Sequence, residues 1–403
     1  MKTRQSNLRT ILFGSVVILL IYGLLAFAFY TFVAAHVLGA NDFYSRWAGA
    51  RALFLQNQNP YSLQVTQQIQ LEMYGRLAYP HEDQVAFAYP LYAAFFVLPF
   101  ITMPYAWAES FWMAGLILIA IGGALALAHF LDWRFSLFGL LLYVLDVLAF
   151  YPVWRGIFLG QFAILVFASI ALGLALLKQH YDEVAGWVLA IAMVKPHVAI
   201  PTLAIILLWS IAQRRWRVWR GWLSAMILLI GIANGLLPNW HLEFIRAVIA
   251  YESYIRIGSP LQVLCQLFLP SREATWATAI IILFLGSLIP FLFARTMKED
   301  LPAFLPTIEL AILITTLGMI RTATTDQAIL LIPWMHWFSH FARARRWLPV
   351  GLLAAILIVL PWFVFLTTLS GNAEAPIATT TVALCTWIAY PIMSWQIRSA
   401  DLA

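Results

Sequence analysis

Long apolar stretches separated by short polar breaks make up most of the chain, and two of the breaks are much longer than the rest. Windows of about 20 apolar residues are long enough to cross a hydrocarbon core as helices. They fall near 11–35, 85–103, 107–131, 135–151, 160–178 and 184–212, and again near 218–237, 275–294, 302–320, 327–341, 347–367 and 376–396. The pattern predicts an all-α polytopic membrane protein, a single transmembrane domain over 1–403 with about twelve transmembrane helices. The long breaks, 36–84 and 238–274, predict two outer loops. In the first, Phe43, Trp47, Ala50 and Phe54 recur at helical spacing, and a Ser62-capped run sets Val65, Ile69 and Met73 on one face before Gly75. Both read as amphipathic helices, the first either lying on the membrane surface or capping a cavity in it, and together they suggest a lid. The second mixes Trp240, His241, Glu243, Arg246, Tyr251 and Tyr254, which suits an interfacial, partly helical segment.

Composition agrees. The 403 residues are 63% hydrophobic and 10% charged, with mean hydropathy +0.84, which excludes an ordinary soluble domain. The net charge of +6 could suggest nucleic acid, but in such a chain it follows from basic loops beside lipid, so the expected partner is the bilayer and no nucleic acid. Placing Lys2, Arg4, Arg9, Arg155, the clusters Arg214–Arg220 and Arg343–Arg346, Arg295, Lys298 and Arg398 inside puts both termini in the cytoplasm and both long loops on the outer face of the plasma (inner) membrane. The first apolar segment is too long for a signal peptide and reads as a retained anchor. Cys265 and Cys385 lie far apart in apolar contexts and suggest neither a disulfide nor a metal site. No Gly-rich phosphate loop, zinc spacing or nucleophile elbow is visible, so no cofactor and no metal is expected.

Few residues are left to carry chemistry. Asp42 follows the first span at the outer boundary and has two readings, a base at the mouth of a cavity or the N-cap of the helix that follows. Asp146, Lys195 and Glu309 fall at similar depth in their spans, where a charge must pair or face water. An Asp146–Lys195 pair and a Lys195-based anion site, helped by Pro196 and His197, are both open. The polar run Arg321 to Gln327 between two spans marks a cavity wall, with Arg321 and Lys195 as candidates for a phosphate. Arg51 either lines a cavity or snorkels to headgroups.

Several short motifs then appear in a recognisable order: Asp42-Phe43, Ala50-Arg51-Ala52-Leu53, Asn59-Pro60-Tyr61, Phe87-Ala88-Tyr89-Pro90, Leu159-Gly160-Gln161, Lys195-Pro196 and Thr325-Asp326. In them the chain resembles GT-C membrane glycosyltransferases, and most of all glycosyltransferase family 87, the polyprenyl-phosphate-mannose-dependent mannosyltransferases of bacterial envelopes. The resemblance covers about residues 40–330. Leu91 and Gln327 depart from it, standing where the family often has a second Pro and a His. It implies a GT-C-like bundle with its active site on the outer face. It also implies an acid at the position of Asp42 that acts as catalytic base. Around that base it suggests a cavity with Arg51, Asn59, Tyr61, Tyr89, Gln161 and His197, and a donor-phosphate site with Arg321, Lys195, Asp326 and Gln327.

The reaction so implied is an inverting transfer of a sugar, mannose by resemblance, from a polyprenyl-phosphate-sugar donor to a glycolipid or glycan acceptor. A carboxylate takes the proton of the attacking hydroxyl, and burial makes a carboxylate a better base. Cations and hydrogen-bond donors meet the departing phosphate. Two rival classes stay open: a transporter or flippase of lipid-linked glycans, with Asp146, Lys195 and Glu309 along its path, and an O-antigen-ligase-like glycan transferase.

Overall fold

In the computed structural model, which describes residues 2–37, 39–254, 258–318, 324–369 and 375–401, the described residues form helices and loops without strands. Among the described residues seven helices are long and apolar enough to cross a membrane, or eight if the pair Leu137–Ala149 and Tyr151–Leu159, bent by 63°, counts as one. These agree with seven of the expected windows and, at 135–151, with a kinked eighth. The chain divides into two compact units: Met1–Ile119 with Ile157–Gln161 and Trp240–Tyr254, and Ala120–Gly156 with Phe162–Asn239 and Ile255–Ala403.

The first unit opens with helix α1 (Lys2–Phe29), extended by a π-helical turn over Tyr30–Ala34. Its apolar face is mostly exposed, as a lipid-facing anchor requires, and Tyr30 stacks on Trp107 at 4.0 Å. Helices α2 (Asn41–Gln56) and α3 (Leu63–Tyr74) then form as the periodicity predicts. The Ser62 hydroxyl accepts from the Val65 N–H at 3.3 Å to cap α3, and Gly75 closes it in the left-handed conformation. The stripe on α2 is buried rather than laid on a surface: Phe43 and Ala50 are fully enclosed, and Phe43 stacks on Trp112 at 4.8 Å. Residues 85–103 do not make a continuous span. Only Leu91–Phe100 is helical, in three short pieces, because Pro90 precedes it, Pro99 interrupts it and Pro104 follows it.

In the second unit the expected span 184–212 is broken. Helix Asp182–Ile191 gives way to a 3-10 turn, Lys195 leaves the helical region, and Pro196 starts a new helix that runs to Ala212. The two halves form a hairpin, since Arg215 beyond its end pairs with Asp182 at its start and Arg220 pairs with Glu183. Helix Trp216–Leu236 packs against Asp182–Ile191 with almost no gap. A Cβ at Gly186 would meet the Val218 carbonyl at 2.2 Å, and one at Gly221 the Glu183 carbonyl at 2.1 Å. Other basic groups gather at the same end: Lys178 bonds Asp132 at 2.6 Å and the Phe130 carbonyl at 2.7 Å, and Arg343 bonds the Leu131 carbonyl at 3.0 Å. Lys195 stands at the far end of a 17-residue helix from this cluster, on the order of 25 Å away. Arg155, expected among the inner basic groups, lies over the Phe365 ring at 5.8 Å.

The Asp146–Lys195 pair is not what forms. Lys195 pairs with Asp326, not Asp146, and Glu309 takes His336 Nδ1 at 2.7 Å. Helix periodicity gave each residue a depth but not the tilt and breaks that decide its neighbours.

Candidate active site

The geometry around Asp42 starts from a glycine. Gly160 sits at φ +69°, and a Cβ there would lie 2.7 Å from the Phe43 Cβ and 3.0 Å from that of Ala40. Only glycine accepts both the backbone conformation and the approach. Ala40, itself left-handed at φ +46°, donates its N–H to the Phe158 carbonyl at 2.7 Å, and the Trp112 indole donates to the Gly160 carbonyl at 2.9 Å. The turn Leu159-Gly160-Gln161 is thereby clamped to the start of α2, which delivers Gln161 to Asp42.

Gln161 Nε2 donates to Asp42 Oδ2 at 2.5 Å, while its Oε1 faces Arg46 Nη2 at 3.4 Å and the Tyr89 hydroxyl at 3.3 Å. Arg46 also donates to the Tyr89 hydroxyl and lies over its ring at 4.3 Å. Arginine can only donate, so Gln161 must turn its oxygen to Arg46 and its amide to the carboxylate. The network therefore sets an N–H donor against Asp42 Oδ2. The N-cap position of α2 is Ala40, and the Asp42 carboxylate is committed to Gln161 rather than to the helix end, so the capping reading is not what the structure shows. Asp42 still lies in the first turn, where a negative charge suits the helix dipole.

The other expected residues of this unit divide. Tyr61 belongs to the network's support: its hydroxyl donates to the Tyr89 carbonyl at 2.6 Å and its ring meets Phe87 edge-on. Asn59 is a turn residue, accepting from the Tyr61 N–H at 2.9 Å. Arg51 leaves the Asp42 face altogether; it bonds the Ile101 carbonyl and lies over Trp47 at 4.6 Å. Two residues the sequence reading left out belong here. Arg46, 4% exposed, follows Asp42 by one helical turn, a spacing that was available as a signal. Tyr251 comes from the second long loop; burial pushes its phenol up, and the charges of Asp83, Tyr89 and Asp42 add to that. Burial likewise pushes the Asp83 carboxyl up, with the Asp42 charge contributing.

The second unit holds its own polar cluster. Lys195 and Asp326, both buried, form an ion pair, and His197 Nε2 lies 3.4 Å from Asp326 Oδ2 with its ring half-exposed. The Gln327 amide is turned away to the Thr379 carbonyl at 2.5 Å, so it is a packing group rather than part of the cluster. Arg321 lies outside the described residues. With Asp326 on Lys195, this cluster offers an anion a fixed ammonium and an accessible imidazole rather than an unpaired charge. Among the described residues no group of three or more His, Cys, Asp or Glu side chains could hold a metal ion.

The model of glycosyltransferase family 87 matches residues 87–317, more than half of the chain. Tyr89, Gln161, Lys195 and His197 fall within that stretch; Asp42 and Asp326 lie beyond its ends. Searches of curated proteins and of solved structures return no match. The helices long enough to span a bilayer and the family match together place the chain in glycosyltransferase family 87, among the membrane glycosyltransferases.

Proposed function

We propose that the protein transfers a sugar, mannose by resemblance to its family, from a polyprenyl phosphate to a hydroxyl of an envelope glycolipid or glycan, with inversion and with Asp42 as general base. The observation that carries this reading is the hydrogen-bonded chain from Asp42 through Gln161 to Arg46 and Tyr89. It holds a half-buried carboxylate as an acceptor, as proton abstraction from an attacking hydroxyl requires. As the carboxylate takes the proton, the oxygen attacks the anomeric carbon and the bond to the phosphate oxygen breaks on the opposite face. Lys195 and His197 are the groups we assign to binding a polyprenyl phosphate, with the Asp326 carboxylate between them holding the Lys195 ammonium in place. The transport reading loses support, since two of the three charges expected along a path close on local partners, Lys195 on Asp326 and Glu309 on His336.

The membrane placement belongs to the same proposal. Lys2, Arg4 and Arg9 favour a cytoplasmic amino terminus, so the first long loop, with Asp42, is outer. The basic end of the second unit is likewise cytoplasmic. Counting Asp182–Ile191 with its 3-10 extension and Pro196–Ala212 as two crossings, and Leu91–Phe100 as none, keeps twelve crossings with both termini inside.

The test is direct. Purified protein in nanodiscs is incubated with radiolabelled polyprenyl-phosphate-mannose and a glycolipid extract of bacterial envelope, and the product's anomeric configuration is read by NMR. The proposal expects labelled product with inverted configuration. A product of retained configuration, or none while donor binding is measurable, contradicts it.

A further inference from the structure

One cavity in the first unit plays no part in the Asp42 network. It lies between α2 and α3 and has a volume of about 200 Å³. Its floor is apolar, made by Trp47, Ala52, Val65 and Ile69, all buried. Its rim is polar: Arg51 on one helix and Glu72 on the other, with Gln56 and Gln68 between them. Gln56, Gln68 and Glu72 are exposed, and such polar and charged side chains suit a mouth that opens to water. The two charged groups are held in place, Arg51 by the Ile101 carbonyl and the Trp47 ring, Glu72 by the Tyr44 hydroxyl.

We propose that this cavity binds one pyranose unit of the acceptor glycan, an inference that rests on the glycosyl-transfer reading above. The lining selects the ligand by exclusion. A prenyl chain would strip water from Arg51, Glu72 and two amides without returning a hydrogen bond. A phosphate would meet the Glu72 carboxylate, and a cation the Arg51 guanidinium. A pyranose is neutral, offers a C–H face to an apolar floor, and carries hydroxyls that both donate to Glu72 and the amide oxygens and accept from Arg51 and the amide N–H groups. The volume admits a single ring, below the size of a site that encloses a larger ligand.

Placement on α2 says something about the acceptor's length. Ala48, Arg51 and Ala52 lie on one face of the helix, whereas Asp42, Arg46 and Gly49 lie on another. A helix with its side chains is about 10–12 Å across. An acceptor that uses both faces is therefore longer than one sugar, and the cavity holds a unit remote from the hydroxyl being glycosylated.

The experiment uses the full chain in nanodiscs and a photoreactive diazirine derivative of methyl α-D-mannopyranoside, with peptide mapping by mass spectrometry. We expect labelling within residues 47–72 that unlabelled methyl mannoside suppresses. Filling the cavity with Ala48→Leu should cut that labelling at least tenfold, and Gln68→Ala, at an exposed position that leaves packing alone, should weaken it several-fold. Asp42→Asn should leave it unchanged. Labelling that ignores both cavity substitutions, or none between 47 and 72, overturns the inference. The two readings fail separately: labelling without any sugar transfer sinks the transferase and keeps the subsite, while transfer without labelling does the reverse.

Discussion

At the residue scale, Gln161 is more informative than its chemistry alone suggests. It makes no acid or base, yet its amide occupies one oxygen of Asp42, and in the proposed mechanism this sets which lone pairs are left for an incoming hydroxyl. Gln161→Leu should lower kcat about 10–100-fold with little change in donor KM, because it removes orientation rather than ground-state binding. Arg46→Lys should fall in the same direction, since a lysine cannot bridge Tyr89 and Gln161 as a planar guanidinium does. Steady-state kinetics on the two variants check both; a rise in KM at constant kcat would make them binding residues instead. Asp42 could be singled out as a candidate in the sequence because it stands alone after a long apolar segment. Arg46 was missed because α2 was read through its apolar stripe, and a buried arginine one turn from an acid does not disturb that stripe. The partner of Lys195 was also invisible: Asp326 lies far along the chain, and charge depth alone made Asp146 look equally suitable.

At the element scale, the turn at Gly160 and the loop carrying Tyr89 decide whether the network assembles. Gly160→Ala forces a side chain into the left-handed region and against Phe43 and Ala40, so a loss of about 1–3 kcal/mol is expected, with activity falling alongside. Thermal unfolding of the detergent-solubilised variant measures it. In the loop, Arg76 grips Glu82 with two hydrogen bonds of 2.7 Å and holds its carboxyl down at about 2 from an ordinary 4.5. A depressed folded-state value means that this clasp contributes fully above pH about 4.5 and is lost as pH falls through about 2. Amide protection at Tyr79, whose N–H donates to the same carboxylate, should persist from pH 6 to 4 and collapse only near 2. Loss of protection already at pH 5 would mean the clasp does not form. The helices with the most regular periodicity, α2 and α3, were legible as helices, though not what the α2 stripe packs against. The window at 85–103 misled because its apolar residues outweighed its prolines, although the prolines set where the helix could run. At 184–212 the break at Lys195-Pro196 was in view, but the hairpin needed Asp182 and Arg215 to be seen together.

For the whole molecule, the account makes one claim about sidedness. The proposed topology puts the basic groups beside Arg345 in the cytoplasm and the loop that carries His81 outside. Single cysteines placed at Arg345 and at His81, with Cys265 and Cys385 replaced by serine, should react with a membrane-impermeant maleimide in opposite preparations, His81→Cys in intact cells and Arg345→Cys only in inverted vesicles. The all-helical class was readable from composition, since such an apolar chain has few other ways to satisfy its backbone in lipid. Which helices turn back was not, because a hydropathy window counts apolar residues without knowing which ends meet.

The most direct measurement is transfer by Asp42→Asn against wild type, with donor binding recorded on the same samples. An amide of nearly the same shape cannot accept the hydroxyl's proton, so the account predicts transfer reduced at least a hundredfold with donor affinity within about twofold. Transfer within a few-fold of wild type would show that the proton goes elsewhere and that Asp42 is not the base.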